Sequence, residues 1–304
     1  MGRFLSVGEC MVEVAPAGDG HFRVGHAGDA FNAAWYARRL LPTDWDVAFA
    51  SRVGVDGASD EMLAFLGAEG IAVDAVARDP ERTLGLYMIR LADGERSFSY
   101  WRDRSAARRL GDDPAWLAEV LARRDVVLFT GITLAILPPA GRANLLAALG
   151  QARAAGALVA FDTNARPRLW EGTDAMREGL MAGAAAADVV LPSFDEEAAL
   201  FGDRTPAATA ARYAAEGARV VAVKDGAAPV TLLAEGRTQS IPAVPVARVV
   251  DSTAAGDSFA GGLLAALATG AAPADAVRRA AALAARVVGG RGALVRAAVE
   301  GPGA

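Results

Sequence analysis

A single cysteine, Cys10, in 304 residues excludes an intrachain disulfide framework. Histidine is almost as scarce: His21 and His26 stand apart from any cysteine or carboxylate cluster, so no zinc pattern can be assembled. There is no run of basic residues, and the formal net charge of −5 argues against a nucleic-acid partner, whose phosphates ask for a basic face. No uninterrupted apolar run approaches the roughly 20 residues of a membrane span. The opening "MGRFLSVGECMVEV" has one arginine, a short apolar run and then Glu9 and Glu13, unlike a signal peptide. Neither G-x-x-x-x-G-K-[ST] nor a G-x-G-x-x-G after a strand occurs, which removes the P-loop and the usual dinucleotide fingerprint. With 53% hydrophobic and 22% charged residues, the expected class is a soluble, cytoplasmic, globular enzyme.

What is present is an alternation. The apolar runs "DVVLFTG" (125–131), "ALVAFDTN" (157–164), "DVVLPSFDE" (188–196) and "VVAVKDG" (220–226) are separated by segments of helical periodicity. Continuous apolar strands between helices predict a mostly parallel α/β sheet covered on both faces. One region breaks the rhythm: "LGLYMIRLADGERSFSYWRDR" (84–104) holds two strand-like runs joined across Asp93-Gly94, a hairpin signal. With the strand-like "VEVAPAGDGHFRVG" (12–25) it forms either a small separate sheet or an antiparallel extension of the main one.

The polar residues gather at the strand ends: Thr130-Gly131, then Asp162, Asn164 and Arg166, then Ser193, Asp195 and Glu196, then Lys224 and Gly226. Ligands bind outside the carboxyl ends of such strands. The stretch "VVDSTAAGDSFAGGLLAALATG" (249–270) reaches the same edge. Ser252 or Thr253 suffices to cap its helix, yet Ala254, Ala255 and Gly256 follow with almost no side chain, and Asp257 falls in the first turn. Open N–H groups at a helix N-terminus suit a phosphate, and a carboxylate beside them suits a base for an attacking hydroxyl. A plain cap on a core helix is the alternative.

These residues match a known pattern. "DSTAAGDSFAGGLL" resembles the D-T-x-G-A-G-D signature of the ribokinase-like (PfkB) carbohydrate kinases, and "HAGDAFNAAWYARRL" (26–40) is similar to their first signature, G-G-x-x-x-N-x-A. "GECMVEV", "GERSFSYWRDRSAARRL" (94–110), "FDTNARPRLW" (161–170) and "LPSFDEE" (191–197) are similar to the 2-keto-3-deoxygluconate kinase branch. The resemblance implies a ribokinase-like doubly wound sheet, one kinase domain over 1–304, with a small β lid from segments at about 12–25 and 75–104. It implies ATP and Mg2+ as cofactors and Asp257 as catalytic base, with the N–H groups of Ala254, Ala255, Gly256 and Asp257 as anion hole. Gly28 and Asn32 take substrate-binding positions, Ser193, Lys224, Gly226 and Gly256 nucleotide-binding ones, and Glu196 helps order magnesium. Ala27 stands for the first Gly of the first signature, Ser193 for the Asn of N-x-x-E, and Pro229 where a second Gly is often found.

A sugar acid needs a cation for its carboxylate, and arginine offers the matched fork. Arg102 and Arg166, with Tyr87 and Tyr100, are expected to face the substrate, giving ATP-dependent phosphorylation of 2-keto-3-deoxy-D-gluconate to its 6-phosphate. The alternatives are a fructokinase or other neutral-sugar kinase, and a sugar-sensing pseudokinase. Phe98 and Trp101 on the lid lead to a homodimer or higher oligomer packed through one lid face.

Overall fold

The apolar runs form strands because alternate residues point into two different cores. The computed structural model describes residues 1–92 and 95–300. Its strands are β1 (Arg3–Val7), β2 (Met11–Gly18), β3 (His21–Ala27), β4 (Asp46–Val53), β5 (Val76–Arg78), β6 (Leu86–Ala92), β7 (Glu95–Trp101), β8 (Val126–Thr130), β9 (Leu158–Asp162), β10 (Val189–Val190), β11 (Val220–Val223), β12 (Val230–Ala234) and β13 (Arg237–Ile241). In β8, Val126 and Leu128 belong to one hydrophobic cluster and Val127 and Phe129 to the other. A strand buried on both faces therefore reads as unbroken hydrophobic sequence.

The helices are α1 (Asp29–Leu40), α2 (Gly57–Ala68), α3 (Pro114–Leu121), α4 (Gly131–Ile136), α5 (Pro139–Ala154), α6 (Thr173–Ala185), α7 (Phe194–Phe201), α8 (Pro206–Ala215), α9 (Ala255–Ala268) and α10 (Pro273–Val287). Trp35, Tyr36, Leu263, Leu264 and Leu283, from α1, α9 and α10, fill one face; Leu117, Leu145, Leu149, Leu180 and Tyr213, from α3, α5, α6 and α8, fill the other. Local rules start several of them. Asp113 accepts the N–H groups of Ala115 and Trp116 at 3.0 Å ahead of Pro114, a cap followed by proline at the first helical position.

The main sheet runs β13-β12-β11-β10-β9-β8-β1-β4-β5. It is parallel from β11 to β5, and β12 pairs antiparallel with β11 and β13. The second sheet has the order β3-β2-β6-β7 and is separate, not an extension of the first. Its second segment pairs only over Leu86–Trp101, because Val76–Arg78 joins the edge of the main sheet instead of the lid span expected from 75. The Asp93-Gly94 turn lies outside the described residues.

Register sorts the faces of the small sheet. Tyr87 lies opposite Tyr100, and Ile89 opposite Phe98, whereas Leu86 lies opposite Trp101. Side chains alternate along a strand, so Phe98 and Trp101 point to opposite faces. They cannot build one interface. The face of Tyr87 and Ile89 rests on Ala293, Leu294 and Ala254, which directs it toward the N-terminus of α9. The other carries the exposed Phe22, Val24 and Trp101.

Candidate active site

β1 pairs with β8 on one side and β4 on the other, and the chain leaves for opposite sides of the sheet from these neighbours. A crevice opens beyond the carboxyl ends of the strands at such a switch point. The first turns of α1 and α9 meet there. Gly261 makes this possible: a Cβ at that position would lie 2.4 Å from the Ala33 carbonyl oxygen, so α9 crosses α1 at backbone contact.

That crossing joins residues 225 positions apart, with Asn32 Nδ2 donating to Asp257 Oδ2 at 2.7 Å. The Gly28 N–H donates to Asn32 Oδ1 at 3.4 Å and fixes which way the amide points. A Cβ at Gly28 would sit 2.1 Å from the Glu9 carbonyl oxygen, so only glycine fits. Asp29, the first residue of α1, accepts from Asn164 Nδ2 at 2.8 Å. Asp162, at the end of β9, takes the Lys224 ammonium at 2.9 Å.

Crowded carboxylates change the acidity of the group among them. Burial pushes the half-buried Asp257 up to about 7, with Asp29 and then Asp162 adding to the effect against the Asn32 amide and the Lys224 charge. Burial raises Asp162 as well, more than Lys224 lowers it. A carboxylate with its pKa near 7 is a stronger base than an ordinary one and is still substantially ionised at neutral pH.

The helix before Asp257 starts differently from the local expectation. The N-cap position of α9 falls on Ala254, not on Ser252 or Thr253, with φ 59°, in the left-handed region. An alanine there stores strain on the order of 1 kcal/mol. The Ala255 N–H is turned back to the Ser252 carbonyl at 3.2 Å, so it is not free for an anion as expected. The N–H groups of Gly256 and Asp257 precede the first bond inside the helix, from Ser258 N–H to the Ala254 carbonyl at 2.8 Å, and have no carbonyl one turn back within it. Donors in that position at a helix N-terminus suit an anion.

Ser193 precedes α7 beside Lys224, whose backbone N–H donates to Pro192 and whose carbonyl accepts from Phe194, both at 2.8 Å. Gly226 turns the chain just beyond, at φ 54°. Glu196, in the first turn of α7, accepts from the Ala165 N–H at 3.0 Å and from Arg166 Nη1 at 2.7 Å. Burial raises its pKa despite the Arg166 charge.

The two arginines expected to face substrate are each matched by a carboxylate. Arg166 pairs with Glu196 at the surface; Arg102, only 6% exposed, is paired with the buried Glu9, and its Nε has no partner among the described residues. Tyr87 is buried with its hydroxyl on Glu13, and Tyr100 lies beside it, ring centroids 6.0 Å apart. Asp29, Glu9 and Glu13 thus join this cluster without having been singled out in the sequence, whereas Asn164 was already among the polar strand ends.

A magnesium ion fits here only in company. Among the described residues no group of three histidines, cysteines or carboxylates could hold a metal, and Glu196 has both oxygens engaged. Such a donor set suits an ion carried on phosphate oxygens with its own waters.

The pattern of the pfkB family carbohydrate kinases matches residues 1–297. The chain belongs to this family. The 2-dehydro-3-deoxygluconokinase of Dickeya dadantii is 36% identical over 296 residues, covering 95% of each chain. A fructokinase of Vibrio alginolyticus is 31% identical over 270 residues, 88% of this chain and 84% of that one. The crystal structure of fructokinase from Vibrio cholerae O395, in a fructose, ADP and calcium ion bound form, superposes with a TM-score of 0.84 at 26% identity over 98% of both chains. This pfkB carbohydrate kinase has no helix, among the described residues, long and apolar enough to cross a membrane.

Proposed function

We propose that this kinase transfers the γ-phosphoryl group of ATP to the 6-hydroxyl of 2-keto-3-deoxy-D-gluconate (2-dehydro-3-deoxy-D-gluconate). The observation that carries the transfer is Asp257, steered by Asn32 and set directly beside the open N–H groups of Gly256 and Asp257. Asp257 takes the hydroxyl proton as the oxygen forms its bond to phosphorus; the bond to the β,γ-bridging oxygen breaks and ADP leaves with that electron pair. The loose transition state asks for position and charge stabilisation rather than strong base catalysis. Magnesium, when bound, would neutralise charge on the phosphate oxygens, and Glu196 is the residue that would hold one of its waters. Ser193, Lys224 and Gly226 border the nucleotide, and Gly28, Asn32, Tyr87 and Tyr100 the sugar.

The choice of a sugar acid is supported by the similarity to the Dickeya kinase and by two arginines near the crevice. The Vibrio alginolyticus relative keeps fructose as a second reading. An ADP-release panel of sugars and sugar acids decides between them: 2-keto-3-deoxygluconate is expected to give the highest kcat/KM, preference for fructose moves the reading to the neutral sugars, and no turnover of any makes the chain a sensor.

The small sheet would act as the lid over the sugar and as a dimer contact. Its outward Phe22, Val24 and Trp101 are 50%, 65% and 58% exposed, an apolar strip suited to a second copy. Light scattering is expected to find a species larger than the 31.2 kDa monomer at micromolar concentration, and Trp101→Glu to shift it to monomer.

A further inference from the structure

Of the 31 lysines and arginines in this chain, one is a lysine, Lys224. Wherever else a cation is wanted, the sequence uses arginine. The exception stands in the active-site crevice, where a four-carbon stem carries a compact ammonium to Asp162. Its Nζ lies 3.5 Å from the point a Cβ on Gly256 would occupy, against the first turn of α9. The ammonium is therefore placed between the end of β9 and the two N–H groups that open α9. Stability alone is a poor reason for this pair, because a buried ion pair rarely outperforms apolar residues of the same volume.

The charges around it point to a job. Asp29, Asp162 and Asp257 bring three carboxylates into the crevice, and Lys224 is the one positive group acting on Asp257 among those that shift it most. A phosphoryl group arriving there adds negative charge beside that cluster. A planar guanidinium would need its fork matched by one acceptor plane, whereas an ammonium keeps one donor on Asp162 and turns another to a new oxygen.

We propose that Lys224 is a catalytic cation that contacts a non-bridging oxygen of the phosphoryl group as it crosses from ATP to the sugar, with Asp162 as the positioning residue that keeps the ammonium aimed. This rests on the kinase reading above but not on which sugar is used. Lys224 gives up no proton; the bonds made and broken are those of the transfer itself. Because the contact strengthens as charge moves onto the transferred group, its loss falls on kcat rather than on the KM for ATP.

The test uses the full chain and whichever sugar it phosphorylates. Lys224→Met is expected to lower kcat by about 10²–10³-fold, the usual loss for one charge-stabilising donor, with both KM values within about threefold of wild type. Lys224→Arg, which keeps the charge, is expected to recover less than a tenth of wild-type kcat. Asp162→Asn is expected to give a smaller loss of the same kind. An unchanged kcat with a lower Tm would make Lys224 a structural counter-ion, and a raised KM for ATP at unchanged kcat would make it a ground-state nucleotide contact; either overturns the proposal.

A single lysine also allows a readout that needs no turnover. Pyridoxal 5′-phosphate followed by borohydride, with peptide mapping to set aside the N-terminal amine, is expected to modify Lys224, and ATP with magnesium to protect it. Modification that ATP leaves unchanged would place the ammonium away from the phosphates and sink the assignment, even for a variant that folds poorly. If no sugar in the panel is phosphorylated while ATP still protects Lys224, the substrate reading has failed and the placement of the cation has not.

Discussion

Asp257→Asn is expected to keep the fold and lower kcat by about 10²–10⁴-fold, the usual weight of a general base. The amide is nearly the same shape and still meets the Asn32 side chain, so sugar and ATP affinities measured by calorimetry should change little. Stability gives an independent check. The Asp257 carboxyl is raised from the ordinary 3.8 to about 7 in the folded chain, so between these values the native state holds a proton that the unfolded state has lost. Stability from this group then falls as pH rises through that window. At pH 8 the ionised Asp257 disfavours folding, and Asp257→Asn should raise Tm while abolishing turnover, the sign of a strained functional group. The acid limb of kcat/KM in the wild type is expected near pH 7 and should move to lower pH in Asp29→Asn, which removes the largest neighbouring charge effect. A mutant with more than half of wild-type kcat, or a limb that Asp29→Asn leaves in place, would remove Asp257 from the role of base.

The second large effect is expected at the arginines, where the two substitutions should behave differently. Arg166 is half exposed and paired at the surface, an interaction worth about 0–1 kcal/mol that a substrate carboxylate can replace. Arg166→Ala should weaken kcat/KM for 2-keto-3-deoxygluconate by roughly 2 kcal/mol, about 30-fold, and leave fructose nearly untouched. Arg102 is buried against Glu9, so Arg102→Ala strands a buried carboxylate. Breaking such a pair typically costs about 3–5 kcal/mol of stability. Tm should drop, and both sugars should suffer. Glu9→Gln combined with Arg102→Met removes both charges and separates the two effects: recovered Tm with selective loss on the acid gives Arg102 a substrate role, whereas recovered activity on both sugars makes the pair purely structural. Equal losses on both substrates in Arg166→Ala would overturn the assignment of Arg166.

Much of this molecule follows from local pattern. Runs such as Val126-Val127-Leu128-Phe129 can only be strands with a core on each side, and the alternation of strands and helices sets a parallel sheet with its polar ends on one edge. Asp257 and Lys224 stand out locally, one in the first turn of a helix after small residues and one at a strand end, whereas Gly28 and Asn32 were picked only through the resemblance of residues 26–40 to a family signature. What the tertiary structure decided is who faces whom. Asn32 reaches Asp257 only because Gly261 lets α9 touch α1, and the pairing of Arg102 with Glu9 spans 93 residues and depends on where β2 and β7 sit relative to β1. The helix start falls on Ala254, one residue beyond the Ser252-Thr253 pair, because the backbone bends there into the left-handed region, a conformation the capping rule does not foresee for alanine. Phe98 and Trp101 look alike in sequence, yet the register of one hairpin sends them to opposite faces. Side-chain period and helix starts are set within a few residues of chain, but charge partners and faces depend on strand order and register, which no local stretch encodes.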